Sequence, residues 1–372
     1  SGYDEPRTLS YQITLFGPIG ADVRQSVNTY RPANMKRMPG DAAPFLNHLA
    51  LVIPDAGDRK VVLDFLAHNA KYPGHKIPWA PLVQSVEGVG KGIIKEVMAF
   101  VMGEMFWYGP NALELVGNGS KFNAWMKDRL MIIVDEVKCD ENRRLVEVLK
   151  PLISEKQIEI QGKGIDQKKS DNPSNWIFFS NHKEAIPINQ NSRRWAIFYS
   201  AVQTEADLFN LGMNDQYFKR LYDWLGGRDN GDHQFGLMMV ADYLLSYPIA
   251  RGAIPMRAPR TTSFDEAVVV SRGPIEQAIS EAVDQGQSGF RGGWISGGWI
   301  SRTKARGLFK RDYSTQAITK AIKALGYHYI GRSSVAIFQE DQSKPELYNL
   351  NRNETCENYG FAQGYGLIPP VN

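Results

Sequence analysis

The sequence predicts an α/β protein: a five-stranded, mainly parallel sheet, preceded by a small helical unit and followed by a separate helix-and-ribbon domain. Three observations predict it. Between Ile77 and Tyr199 short apolar runs alternate with helical stretches, the pattern of strands joined by crossovers. A glycine-rich loop, Ser85-Val86-Glu87-Gly88-Val89-Gly90-Lys91-Gly92, separates the first apolar run from a helical one. A later run, Leu130 to Val134, ends in the adjacent carboxylates Asp135 and Glu136.

The chain has 372 residues, 43% of them hydrophobic, enough apolar material for two or three domains. Its apolar runs are far shorter than the roughly 20 residues that span a bilayer, so no membrane segment is expected. Cys139 and Cys356 have no metal-ligand spacing around them, which predicts a reducing, cytoplasmic setting and no structural disulfide. The net charge of +3 leaves any nucleic-acid surface to be local. Ser1-Gly2 without a methionine reads as a protease scar, so the chain is expected to be a piece of a longer protein.

In chain order, Tyr3 to Gly40 mixes β-prone runs with turn residues, and residues 1–42 read as an N-terminal arm. Residues 43–76 form a helical unit, from the spacing of Phe45, Leu49 and Val52 and of Val61, Val62, Phe65 and Leu66. Tyr72-Pro73-Gly74 ends it. Residues 77–205 hold the sheet, with strands expected at Pro81 to Ser85, Leu113 to Val116, Leu130 to Asp135, Trp176 to Ser180 and Trp195 to Tyr199. Residues 206–262 read as helical material to Ser246 and then a linker, Arg251 to Thr262. In residues 263–340, helical patterns at Pro274 to Val283, Lys304 to Phe309 and Thr315 to Leu325 precede a two-stranded ribbon over Tyr327 to Phe338. Helix, helix, helix, ribbon is a winged-helix order. Residues 341–372 remain as a tail.

The glycine loop follows a strand and opens a helix from Ile93 to Met102. Glycines let a backbone approach phosphates, helix N-terminal amides face the anion, and Lys91 supplies a cation. Glu87, Gly88, Val89, Gly90, Lys91, Gly92 and Ile93 are therefore the candidate nucleotide-binding residues, for ATP. Two positions depart from the pattern: Ser85 stands where a first glycine is expected, and Gly92 where a Ser or Thr hydroxyl usually holds Mg2+. A Gly-x-Gly-Lys taken alone is also an ordinary loop. Asp135 can hold Mg2+ and Glu136 can polarise a water; the alternative is a core strand meeting a polar turn. The 44 residues from Lys91 to Asp135 accommodate the crossovers that a nucleotide-binding sheet needs. Asn181 follows another strand and can sense phosphate or cap a turn. Arg193 and Arg194 precede the last strand, as surface charge or as a group reaching a neighbour's phosphate.

The ordered set EGVGKG, LMIIVDE, FFSN, SRRW resembles the superfamily 3 helicases, the AAA+-like branch of viral replication proteins, and most of all the poxvirus-type and phage primase-helicase group. VNTYRP at Val27 to Pro32 and YPGHK at Tyr72 to Lys76 are similar to that phage group too. The resemblance covers roughly residues 27 to 200. It implies an ATP-dependent replicative DNA helicase that forms a homo-oligomeric ring, a hexamer, on single-stranded and fork DNA, in host cytoplasm if phage-encoded. Whether a primase or polymerase domain belongs to the same protein stays open. In that family Arg194 would complete a neighbour's site, with Arg193 as the substitute. A hairpin between the second and third motifs would enter the ring channel. Here Gln157 to Gln161 leads to Gly162-Lys163-Gly164, so Lys163 is the expected strand contact, backed by Lys168 and Lys169.

Nine cations between Arg291 and Arg332, against the single anion Asp312, make the C-terminal unit a candidate DNA surface, with Lys320 and Lys323 as contacts; a solvated charged face is the other reading. Two rival functions stand beside the helicase: an ATP-switched replication initiator or origin-binding protein with little unwinding, and a non-catalytic docking module.

Overall fold

The computed structural model describes residues 10–14, 24–28, 36–112, 115, 123–138, 144–162, 168–226, 234–287, 289–291, 299–309, 312–333, 344–353 and 355–356. The chain divides into two compact units, Ser1–Val270 and Ser271–Asn372.

The first unit opens with an antiparallel pair, β1 (Ser10–Thr14) and β2 (Arg24–Asn28). Helices α1 (Ala43–Val52) and α2 (Ala56–Lys71) follow, α2 starting where the Asp55 carboxylate accepts from the Asp58 amide, a cap for an otherwise unpaired N–H. Strand β3 (Ala80–Gln84) leads through the glycine loop into α3 (Gly92–Met102), which stops at Gly103. Then come β4 (Trp107–Tyr108), β5 (Met131–Val134), α4 (Arg144–Ser154), the hairpin β6 (Gln157–Ile160) and β7 (Lys168–Asp171), β8 (Asn175–Ser180) and β9 (Trp195–Tyr199). Four helices close the unit: α5 (Glu205–Asn210), α6 (Asp215–Leu225), α7 (Phe235–Ser246) and α8 (Phe264–Val270).

The main sheet has the order β4-β5-β8-β3-β9, every pairing parallel, consistent with a P-loop-like fold. Side chains alternate across it because the strand period is two. Ile177 and Phe179 of β8 enter one core, where α1, α2, α3 and α7 pack. Trp176 and Phe178 enter the other, with Leu145, Leu149 and Ile153 of α4 and Phe264 of α8. Helices α1 and α2 thus share their core with the sheet and α3.

Four of the five expected strands lie at their expected places. The fifth, Leu113 to Val116, lies outside the described residues except for Leu115, which is in a turn; the edge strand among the described residues is Trp107–Tyr108, paired with Met131 and Ile132. Three aromatics, Phe106, Trp107 and Tyr108, between Gly103 and Gly109-Pro110 suffice for a short edge strand. Arg251 to Thr262 carries no helix or strand, yet it is fastened down. Pro255 O accepts from Trp79 Nε1 at 2.9 Å, Arg193 O from the Ala258 amide at 2.9 Å, and Asp58 from Thr262 Oγ1 at 2.6 Å.

The second unit runs α9 (Pro274–Asp284), β10 (Phe290–Arg291), β11 (Trp299–Ser301), α10 (Arg302–Gly307), α11 (Thr315–Ala324), β12 (His328–Arg332) and β13 (Glu346–Asn349). Its sheet has the order β10-β11-β13-β12 and is antiparallel. Ile279, Ile300, Ile318, Ile322 and Tyr348 share its core. Of the expected ribbon over 327–338, the first half is β12, which pairs with 346–349, and the second half lies within 334–343, outside the described residues. Among the described residues no helix is long and apolar enough to cross a membrane.

Candidate nucleotide-binding site

Strand β3 lies between β8 and β9, so the loop leaving it emerges at the carboxyl edge beside the ends of both, where ligands of parallel sheets bind. Gly88 and Gly90 have φ of 81° and 84°, left-handed values that a side chain resists. Lys91 Nζ donates to Asn181 Oδ1 at 2.8 Å, to Ser85 Oγ at 2.7 Å, and to the carbonyls of Ser85 and Val86, each at 3.2 Å. All four acceptors are neutral. Burial pulls the Lys91 pKa down to about 8, against the opposing pull of Asp135, Glu87 and Glu136. A half-buried cation held by neutral oxygens is ready for an anion, whose arrival would raise that pKa again. Ser85, the departure from the expected first glycine, is thereby an oxygen ligand of the loop lysine.

The carboxylates sit beside it for a structural reason. After Glu136 the chain turns, the Val137 amide donates to Phe179 O at 2.9 Å, and Ser180 Oγ donates to Val137 O at 2.7 Å. This ties the tip of β5 to the tip of β8, next to Asn181. Glu136 is exposed and has φ of 53°, a left-handed conformation uncommon in non-glycine residues; Asp128 shares it, with φ of 61°. Asp135 is in an ion pair with Lys95, one turn along α3 from Lys91.

The loop is covered glycine by glycine. A Cβ on Gly88 would lie 4.0 Å from Leu208 of α5, and one on Gly92 3.9 Å from the Tyr222 hydroxyl of α6. One on Gly90 would lie 2.9 Å from His48 of α1 and 3.0 Å from Phe218 of α6. His48 also bridges Gly90 O at 3.3 Å and the Tyr217 hydroxyl at 3.0 Å, and burial lowers its pKa to about 4, keeping it neutral. Behind the loop, the amides of Gln84 and Gln203 bond each other at 3.0 and 3.1 Å.

A nucleotide's phosphates fit this loop: its positive-φ glycines open the backbone and a lysine without a carboxylate partner faces it. The donor set also fits magnesium. Among the described residues no group of three or more His, Cys, Asp or Glu could hold a metal, but Mg2+ is commonly held by one carboxylate with phosphate oxygens and water. Asp135 is the residue here that could serve so.

Other expected site residues lie elsewhere. Arg194 is at the opposite, amino edge, its carbonyl accepting from the Ala80 amide at 2.9 Å where β3 begins. Its Nε donates to Ser154 Oγ at 3.1 Å. Arg193 and Arg194 line one cleft with Ser154 and Arg257. The hairpin forms, with Ile160 opposite Lys168 and Glu159 opposite Lys169. Lys169 is exposed, whereas Lys163 and the Lys168 side chain lie outside the described residues. Lys320 and Lys323 are exposed on α11. Sequence reasoning missed Lys95, which i,i+4 spacing from Lys91 would have revealed. It also missed His48, Phe218 and Tyr222, whose approach to the loop has no local signature.

Residues 83–194 match a family of unknown function (DUF5906), from the strand before the glycine loop to Arg194. No curated protein matches the chain. Among solved structures, the NrS-1 C-terminal region (305–718) is similar with a TM-score of 0.61 at 15% identity, covering 93% of this chain and 82% of that one. An A-form apo structure of the same region gives 0.59 at 15% identity, over 90% and 82%. A JCV helicase has a TM-score of 0.35 at 10% identity, over 66% of each chain, too low to carry an argument. At these identities the likeness is one of fold: the chain shares its α/β architecture with the NrS-1 C-terminal region.

Proposed function

We propose that this chain is the ATP-dependent DNA helicase module of a phage or mobile-element replication protein, acting as a homo-oligomeric, hexameric ring on single-stranded DNA. The observation that carries the reading is the convergence of Lys91, Asp135, Glu136 and Asn181 at one carboxyl edge, with the loop lysine held by neutral oxygens. The name of the JCV helicase adds only that one distantly similar chain is so described.

In this reading the loop amides from Glu87 to Ile93 and Lys91 bind the ATP phosphates. Asp135, paired here with Lys95, would hold Mg2+, which when bound would supply charge neutralisation for the phosphates. Glu136 orients and deprotonates the attacking water, and Asn181, already bonded to Lys91, registers the phosphate. Arg194 acts on a neighbouring subunit, because its own loop is at the other edge of the sheet. Lys163, with Lys168 and Lys169 behind it, grips the strand. The second unit is a winged-helix-like domain whose Lys320 and Lys323 meet DNA phosphates.

The test is ATP turnover by the full chain with magnesium, with and without single-stranded DNA. Turnover should rise with DNA, and Lys91→Ala should abolish nucleotide binding. Background turnover in both conditions would exclude the helicase. Slow turnover indifferent to DNA would point instead to an ATP-switched initiator, and turnover at background to a non-catalytic docking module, for which the lack of a side-chain hydroxyl at Gly92 is the favouring observation.

A further inference from the structure

Of the two departures in the glycine loop, the structure makes good the first: Ser85 returns an oxygen to Lys91 at 2.7 Å. Gly92 leaves the first turn of α3 without the Ser or Thr hydroxyl that commonly meets magnesium there. The backbone does not demand a glycine at this position. Its φ is not positive, and a Cβ built on it meets nothing nearer than 3.9 Å.

The atom at that distance is the hydroxyl of Tyr222, on α6. A serine oxygen is one covalent bond beyond the Cβ, so turned toward α6 it would leave about one hydrogen bond, ~2.7 Å, between itself and the phenol. A water standing in for that oxygen is therefore within reach of Tyr222. The metal carboxylate meets the same strip of the helix. Lys95, three residues on from Gly92 and so its neighbour on the surface of α3, is the partner of Asp135.

The phenol is uncommitted. Tyr217, on the same helix, bonds His48 at 3.0 Å, whereas the hydroxyl of the half-buried Tyr222 makes no hydrogen bond among the described residues. Such a hydroxyl gains from any partner brought to it. Burial, and then the Glu96 carboxylate, raise the Tyr222 pKa, so the phenol stays a neutral oxygen, as a serine hydroxyl would be. It is also fixed in place: Tyr217 on His48 and Phe218 over Gly90 hold α6 against the loop, which leaves Tyr222 little freedom to lose on binding.

We infer that Tyr222 supplies from α6 the hydroxyl that Gly92 lacks, holding a water of the magnesium shell at the first turn of α3 as a positioning residue for the metal. The inference deepens the ATPase reading and rests on it. Magnesium keeps several of its waters when bound by a protein, and a side chain that orients one of them contributes to metal affinity without touching the ion.

The experiment uses Tyr222→Phe, Gly92→Ser and the double variant in the full chain, with thermal melting to verify folding. Tyr222→Phe removes one oxygen and keeps the ring. Binding of a fluorescent, non-hydrolysable ATP analogue in EDTA reads the loop, and Mn2+ paramagnetic resonance with that analogue bound reads the metal. Tyr222→Phe should bind Mn2+ between about twofold and tenfold more weakly, the worth of one neutral hydrogen bond, with the metal-free affinity for the analogue at the parental value. Adding Gly92→Ser should return the Mn2+ affinity to the parental value, because the oxygen is then restored on α3 itself. Parental Mn2+ affinity in Tyr222→Phe would overturn the inference. So would a loss that Gly92→Ser leaves unrepaired, or an equal loss of metal-free binding, either of which would make Tyr222 a packing residue of the loop's cover. If the parental chain binds no analogue even without metal, the nucleotide-site reading itself has failed, and this inference falls with it.

Discussion

The two edges of the main sheet carry cations in opposite circumstances. At the carboxyl edge Lys91 is surrounded by oxygens from Ser85, Val86 and Asn181, and Lys95 by the Asp135 carboxylate. At the amino edge Arg193, Arg194 and Arg257 share a cleft without an ion pair among the described residues. The first arrangement is internally satisfied and can exchange partners when a ligand arrives. The second remains open to one from outside. One sheet therefore carries a lysine held by neutral oxygens at one edge and a group of arginines at the other.

The largest effects should separate the edges outright. Lys91→Ala should eliminate ATP binding, whereas Glu136→Gln should bind normally and lose hydrolysis by roughly 10²–10⁴, the usual contribution of a positioned acid–base group. Parental turnover in Glu136→Gln would remove that residue from the chemistry. Arg194→Ala should also bind ATP yet hydrolyse on the order of 10³ more slowly, and mixing with Lys91→Ala should recover activity. Failure to recover in rings shown to contain both variants would place Arg194 in its own subunit's structure and make Arg193 the next candidate.

Smaller effects probe what each edge leans on. Lys163→Ala should reduce DNA stimulation while sparing basal turnover; an equal fall in both would detach the hairpin from DNA. Replacing Lys320 and Lys323 should lower the salt slope of DNA binding by about one for each phosphate that is no longer neutralised. An unchanged slope would assign α11 to protein docking. The smallest concerns His48, whose pKa falls from 6.5 unfolded to about 4 folded through burial. Between these values the unfolded chain binds a proton that the folded one refuses, so stability present above pH 6.5 is lost as pH falls toward 4. His48→Gln should flatten the melting-temperature slope over that window; an identical slope would dismiss His48 as its source.

What is legible in the sequence is what local pattern controls. The strands ending at Gln84, Val134 and Ser180 and beginning at Trp195 are marked by buried apolar runs meeting polar tips, and the candidate chemistry sits at those tips. Trp107–Tyr108 escapes because two residues carry no period, so the pattern favours Leu113 to Val116 in its place. The partner of β12 is missed for a related reason: a ribbon with a long connection gives no turn signal near the strand. His48 and Phe218 meet over Gly90 from helices 170 residues apart in the chain, so only tertiary packing brings them together. Arg257 is hidden inside what composition marks as a linker, because backbone fastening leaves no trace in residue type.

The cover over the glycine loop makes its glycines unequal in mutational tolerance. At Gly90 both the backbone angle and the neighbours His48 and Phe218 refuse a methyl group. At Gly92 the nearest atom, the Tyr222 hydroxyl, leaves ordinary contact distance. Gly92 can therefore accept a small side chain without cost to the fold, and Gly92→Ser would place a hydroxyl at the start of α3 silently.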